Sequence, residues 1–344
     1  MPASTTRRTL LRCAPLAALA AATACGAEGG APAASGAPAQ PAGGDGPFPV
    51  QVRHALGTTT VESAERVVTW GWGSQDVLWA LGLQPVGIPE TTYGGDAEGA
   101  YPWWRGHHDP AATTAIGASE TGQVPFEAVA ALDPDLVLAV NSGLTAQDWS
   151  TLSAIAPTVA YPDQPWQTTW QDQALLIGRA VGREDEAQRL VDEAEADLAA
   201  RAAANPQLAG RTFAYVYATA AGLSVYLPGD SRVDTLHGLG LVDAPGVAAL
   251  AATSEQFYVE VAKERARDLD CDVLVGYGEL SLEELRADPV YATMPAVAAG
   301  AVVWLTDEDL IAATSTTLLN LPWQMDRLVP QLAAAADAAA LATA

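Results

Sequence analysis

The stretch from Trp166 to Pro206, WQTTWQDQALLIGRAVGREDEAQRLVDEAEADLAARAAANP, limits what this chain can fold into, because it separates two halves in which strand and helix patterns alternate alike. Trp170, Ala174, Ile177 and Val181 recur at helical spacing, as do Ala187, Leu190, Val191, Ala194 and Leu198, with charges on the opposite face. Gly182 falls between the two runs and Asn205-Pro206 closes the second. The spacing predicts one helix, a break and a longer helix. Such a strut would join two lobes and make the groove between them the functional site. An ordinary surface helix pair inside one large α/β domain is the plainer alternative.

With 344 residues, 49% of them hydrophobic, the chain can bury one or two sizeable cores. Lys and Arg total 17 against 41 Asp and Glu, a net charge of -24. Arg7, Arg8 and Arg12 precede Cys25 and no acid does, so a chain starting at Cys25 carries 14 minus 41, or -27. That surface repels phosphate backbones, which argues against nucleic acid as a partner, and it repels anionic lipid. Any membrane attachment must then be covalent or protein-mediated.

The first 25 residues supply such an attachment. A basic start precedes a short apolar run from Cys13 to Ala24, too brief to span a bilayer. Thr6-Arg7-Arg8-Thr9-Leu10-Leu11 resembles the twin-arginine export signal, and Ala22-Thr23-Ala24-Cys25-Gly26 a lipoprotein cleavage box with Ala22 in place of the commonest Leu. Residues 1–24 are expected to be a removed signal peptide and Cys25 a lipid anchor. A tether rich in Ala, Gly and Pro follows over 25–47. Cys271 is the one cysteine past the export region; it sits in an apolar run and is expected to be a small buried hydrophobe.

Arg66 to Trp70 reads as a strand, Gln75 to Leu81 as a helix and Pro85 to Ile88 as a second strand, a βαβ unit. The turn Gly71-Trp72-Gly73-Ser74-Gln75-Asp76 is a partial dinucleotide fingerprint, but Asp76 stands where the third glycine belongs and would face a pyrophosphate. The turn is expected instead to open Trp70 and Trp72 toward the carboxyl ends of the strands, where open α/β sheets bind ligands. A polar loop over 89–113 then carries Tyr101, Trp103, Trp104 and Arg105, and loops of that length tend to be functional. Eight of the ten tryptophans lie at or before the strut, which suggests a flat aromatic wall on one side of the groove. Further on, Pro125 to Ala131 reads as a short helix, Leu136 to Ala139 as a buried strand, and Pro157 to Ala160 as another.

RVVTWGWGSQDVLWALGLQPVGI, PFEAVAALDPDLVLA, LSAIAPTVAY and LLIGRAVGREDEAQRL, in that order and spacing, resemble the class III substrate-binding proteins of ABC importers, which capture ferric siderophores, haem or cobalamin. The resemblance covers about residues 50 to 335. It implies two Rossmann-like α/β lobes joined by a long helical linker: an N-terminal lobe over 48–165, the linker over 166–206 and a C-terminal lobe over 207–344. In the second lobe Thr212 to Ala218 and Leu223 to Leu227 read as strands, followed by a helix from Ser231. The resemblance places Tyr226 and Arg232 beside the groove. Val261 to Leu269 reads as a short helix before the buried strand Asp272 to Val275, repeating the design around Glu127. The resemblance makes Glu127 and Glu264 equivalent, each docking on an arginine of the permease dimer, although the residue before the second motif is Ala262 where the family usually has Ser.

The sequence shows no G-x-S-x-G elbow, no H-E-x-x-H pair and no P-loop, and adjacent His107 and His108 point apart on an extended backbone, so neither catalysis nor a protein metal site is expected. The resemblance then implies a monomeric, lipid-anchored extracytoplasmic binding protein with no cofactor, whose ligand is a ferric siderophore, with haem or cobalamin as the alternative. The strut should permit only modest lobe movement. Few arginines near the groove argue against a highly carboxylated siderophore and favour hydroxamate or mixed types.

Overall fold

Val67, Val68 and Thr69 are all buried, as a parallel strand covered on both faces requires, and the first lobe is wound around them. A computed structural model describes residues 47–119 and 122–343; the export signal, Cys25 and the tether up to Gly46 lie outside the described residues. The lobe opens with an antiparallel hairpin, β1 (Val50–His54) and β2 (Gly57–Val61). There follow β3 (Val67–Thr69), α1 (Ser74–Ala80), β4 (Gly87–Ile88), β5 (Thr114–Ala115), α2 (Phe126–Ala131), β6 (Leu136–Ala139), α3 (Ala146–Ser153) and β7 (Thr158–Ala160). Their sheet runs β5-β4-β3-β6-β7 with every pairing parallel. The chain winds outward from β3 to β5, then returns to β6 on the other side. A crevice therefore opens at the carboxyl ends of β3 and β6.

The linker is a helical hairpin, α4 (Trp170–Ala180) and α5 (Glu184–Ala204), turned at Gly182. The helices pack closely because Gly178 has no side chain: a Cβ there would lie 2.3 Å from that of Ala187. Gln171 bonds back to Glu195, so α4 lies antiparallel along α5 instead of prolonging it. Thr169 caps α4 by accepting from the Asp172 amide. Ile177, Val191 and Leu198 are buried, each contributing about 2 kcal/mol. Leu198 packs on Gly238 and Arg201 pairs with Asp326, so the far end of α5 belongs to the second lobe.

That lobe comprises β8 (Thr212–Ala218), β9 (Gly222–Tyr226), α6 (Ser231–Gly238), β10 (Val242–Asp243), α7 (Pro245–Ala251), β11 (Tyr258–Ala262), β12 (Val273–Gly278), α8 (Leu282–Ala287), α9 (Pro295–Ala298), β13 (Val302–Trp304), α10 (Glu308–Ala313) and α11 (Leu321–Thr343). The sheet runs β11-β9-β8-β12-β13, with β10 paired to the start of β8. β8, β12 and β13 are parallel; β9 is antiparallel to both its neighbours. One apolar core runs from Val77 and Leu136 through Ile177 and Leu198 to Phe213, Leu236 and Leu332, linking both sheets through the helices.

One expectation needs correction. Val261 and Ala262 end strand β11 instead of opening a helix, and a 3-10 turn, Lys263–Leu269, follows them. The alternation of Val259 and Val261 against exposed Tyr258, Glu260 and Ala262 is the strand period. The hairpin β1–β2 extends the first lobe, with the Thr59 hydroxyl donating to the Thr158 carbonyl at 2.6 Å.

Candidate ligand-binding cavity between the lobes

The carboxyl ends of both sheets border one cavity of about 920 Å³. The first lobe contributes the turn after β3. Gly71 and Gly73 take positive φ, and neither tolerates a Cβ: at Gly71 it would meet the Asn141 carbonyl at 2.3 Å, at Gly73 the Thr317 methyl at 2.3 Å. The two glycines therefore serve close approach of the turn to Asn141 and Thr317. Trp72 between them lines the cavity and packs on Trp166, ring centroids 4.6 Å apart.

One turn later Asp76 points its carboxylate beneath the aromatic wall. Trp103 donates its indole N–H to Oδ2 at 3.0 Å, Trp104 to Oδ1 at 2.8 Å, and the Thr317 hydroxyl to Oδ2 at 2.7 Å. Burial pushes the Asp76 carboxyl up to about 6, outweighing the three donors, which pull the other way. Tyr101 stacks flat on Trp103 at 4.4 Å, and Trp104 meets Trp79 edge-on at 5.0 Å. The wall is thus a set of rings pinned to one anion. The loop that carries it reaches the second lobe, where the Gly95 amide donates to Asp309 at 2.7 Å.

The facing wall mixes apolar side chains such as Phe257, Leu280 and Ile311 with a buried ion pair and tyrosine hydroxyls. Asp230 caps α6 by accepting from the Arg232 amide and also takes the Arg232 guanidinium through both oxygens, Nε to Oδ1 and Nη2 to Oδ2, each at 2.8 Å. Arg232 is 8% exposed and Asp230 3%. The guanidinium stacks over the Tyr226 ring at 4.1 Å, and the Tyr226 and Tyr277 hydroxyls meet at 3.0 Å. Burial raises the Tyr226 phenol far above its ordinary value. Burial acts to lower the Arg232 guanidinium, but the Asp230 charge and hydrogen bonds prevail and hold it raised.

Of the candidates named from sequence, Trp72, Tyr101, Trp103, Trp104, Tyr226 and Arg232 line the cavity. Trp70 does not: it alternates to the other side of the strand end and packs in the core with Val68, Val137 and Ala139. Arg105 is exposed, just past the 3-10 turn Pro102–Trp104, and lies off the cavity. Asp76, Tyr217, Tyr277 and Asp230 were not singled out as site residues. Among the described residues no group of three or more His, Cys, Asp or Glu side chains could hold a metal. His54 bonds Thr59 within the hairpin, and Cys271 is a buried thiol pushed up to about 12 by burial.

Glu127 and Glu264 are exposed, each in the first turn after the point where its segment enters a short helix. Their surroundings match residue for residue. Asp133 and Asp270 both take positive φ, 46° and 49°, and Asp135 and Asp272 both bond the backbone that opens the neighbouring central strand. The offset is 137 in each case, from 127 to 264, 133 to 270 and 135 to 272.

Two α/β lobes whose strand ends face one aromatic cavity, bridged by helices, define a two-lobed solute-binding protein. The family model described as periplasmic binding protein matches residues 67–308, and the chain belongs to that family. Over 164 residues, 46% of its length, the chain is 29% identical to the Fe(3+) dicitrate-binding periplasmic protein FecB of Escherichia coli (strain K12), and it spans 51% of that relative. The solved structure of PiaA from Streptococcus pneumoniae TIGR4 in complex with ferrichrome is similar with a TM-score of 0.77 and 30% identity, over 84% of this chain and 99% of that one. A periplasmic solute binding protein from Mycobacterium smegmatis str. MC2 155 is similar with a TM-score of 0.69 and 29% identity, over 83% of this chain and 98% of that one. The fold is that of the class III periplasmic binding proteins.

Proposed function

We propose that this protein captures a ferric siderophore outside the cytoplasm and delivers it to an ABC permease. The observation that carries the reading is the composition of the cavity: indole and phenol faces on one wall suit a chelate's apolar linkers, while Tyr226, Tyr277 and Arg232 offer donors to its iron-coordinating oxygens. Similarity to FecB and to ferrichrome-bound PiaA supports it. Haem or cobalamin is the weaker reading, because no histidine lines the cavity among the described residues. The test is quenching of tryptophan fluorescence by ferric hydroxamates, ferric catecholates, ferric citrate, haem and cobalamin. Saturable quenching by one ferric class and not by its iron-free form supports the reading; response to haem or cobalamin alone transfers it to the alternative.

The same reading gives Glu127 and Glu264 the docking role, one per lobe, with residues 48–165 and 207–344 as the lobes, 166–206 as the linker and a monomer as the working unit. Exposed ion pairs contribute little until an interface dries them, so the role depends on a permease dimer that buries both. Replacing either by Ala is expected to lower uptake at unchanged ligand affinity. Residues 1–24 act as the export signal and Cys25 as the lipid anchor on the extracytoplasmic face of the cell membrane; a Cys25→Ala chain recovered in the soluble fraction, against a membrane-bound parent, is the expected outcome.

A further inference from the structure

The charges around the cavity are lopsided. Among the described residues Arg232 is the one base that lines it, and its fork is spent on Asp230, so the pair is neutral and offers no net positive field to an anion. Three rim carboxylates face it unopposed by another lining base: Glu90 after β4 in the first lobe, Glu260 on β11 and Glu308 at the start of α10 in the second. Glu308 lies close to Tyr93 on the facing loop, where, after burial, it is the next cause holding that exposed phenol above its ordinary value. A separate observation points the same way. Gln75 lines the cavity at 8% exposure, and its Oε1 is buried without a hydrogen-bond partner. That oxygen accepts a hydrogen bond and so calls for an N–H or O–H donor from whatever fills the space.

Resting on the ferric-chelate reading above, we infer that the site selects complexes of neutral or positive charge, and that Glu260 and Glu308 receive a protonated amine arm while anionic complexes are rejected. Ferric ion held by three hydroxamates is neutral, and a pendant ammonium makes the whole complex cationic. Citrate-type and tris-catecholate complexes carry net negative charge and meet three carboxylates. At surface dielectric each rim charge changes affinity by a factor of about two to three, so the three together give about tenfold per unit of ligand charge.

The experiment uses one iron core with three charges: a linear ferric trihydroxamate bearing a terminal primary amine, its N-acetyl derivative and its N-succinyl derivative. Their affinities for the purified protein are measured by titration at low and at high salt, alongside ferric citrate and a ferric tris-catecholate. The amine form is expected to bind about tenfold tighter than the acetyl form and about a hundredfold tighter than the succinyl form at low salt, shrinking to a few-fold at 1 M salt. A Glu260→Gln, Glu308→Gln double variant, checked for folding by its melting transition, should compress the spread between the amine and succinyl forms by about tenfold or more. A flat or reversed order, or a spread untouched by salt, overturns the charge inference and leaves the siderophore reading standing. Tighter binding of citrate or catecholate does the same. Failure of every ferric chelate to bind removes the reading itself, and the inference with it.

Discussion

Behind the first wall, Asp76 stands buried with three neutral donors and no cation; behind the second, Asp230 stands equally buried with a guanidinium on both oxygens. Both carboxylates sit in the first turn of a helix or cap it, and both hold the side chains that face the cavity. They differ in what balances the charge. Neutral donors orient indoles but leave the anion destabilised by burial, so the first wall titrates near 6. An ion pair with two parallel hydrogen bonds holds its geometry across the ordinary pH range. Pairing the charge thus makes one wall insensitive to pH, and leaving it unpaired makes the other responsive.

The largest expected effect tests the paired side. Arg232→Ala leaves Asp230 as an uncompensated buried charge, and the variant should lose about 3–5 kcal/mol of unfolding free energy in a denaturant titration. Replacing the pair together, Asp230→Asn with Arg232→Met, keeps a cap for α6 and removes both charges. It should recover most of that loss. A double variant as unstable as the single one would mean that the pair is not what holds this wall.

On the unpaired side the effect is a pH dependence. An acid whose folded value lies above its unfolded one contributes stability that is present at low pH and lost as pH rises through the window between the two, here from 3.8 to about 6. The difference in unfolding free energy between the parent and Asp76→Asn should therefore grow in the parent's favour by about 2.5 kcal/mol between pH 7.5 and pH 4. Tryptophan emission should shift over the same window in the parent alone, because a protonated Asp76 can no longer accept all three donors. A parent and variant that change in parallel with pH would put the sensitivity elsewhere.

The two walls were unequally legible in the chain. The strands and helices that carry them follow period: Val67 to Thr69 as a buried run, Ile177 and Leu198 on helical stripes, Thr212 to Ala218 as a strand. The turn at Gly71 to Gly73 could be located, and the departure at Asp76 from a phosphate-binding turn could be noticed. What Asp76 does could not, since its donors come from 27, 28 and 241 residues away. The Asp230–Arg232 pair is two residues apart, yet its neutrality depends on both side chains turning inward, which local pattern does not specify. Trp70 and Arg105 were misplaced for a related reason: near a strand end or a short turn, a shift of one position moves a side chain from groove to core or to solvent. The hairpin β1–β2 carried its signal in Val52, Thr59 and Val61 alternating inward, but the strands are short and polar on the other face.

Away from the cavity the lobes can be compared at matched positions, and smaller effects are expected. Asp135 receives the Ser63 hydroxyl and the Glu65 and Arg66 amides, the latter two at 2.9 Å each; Asp272 receives the Thr212 amide at 3.0 Å. Replacement by Ala should destabilise by about 2 kcal/mol at Asp135 and about 1 kcal/mol at Asp272, following the number of backbone and hydroxyl donors left behind. Equal losses would show that the clamp is worth the same in both lobes whatever its donor count.

Two residues before each clamp, Asp133 and Asp270 hold the left-handed conformation, φ 46° and 49°, just ahead of β6 and β12. Aspartate tolerates that region better than most residues, and glycine enters it without steric strain. Asp133→Gly and Asp270→Gly each relieve strain in the folded state but loosen the unfolded chain, so each should raise stability by no more than about 0.5–1 kcal/mol. The effects should match, because the two turns share one conformation. At Asp133, however, the Arg66 guanidinium donates to the residue's own carbonyl at 2.9 Å and fixes the turn from outside. If Asp133→Gly gains and Asp270→Gly loses, that external bond is what lets the first turn accept a freer residue, and adding an arginine opposite Asp270 should bring the second lobe into line.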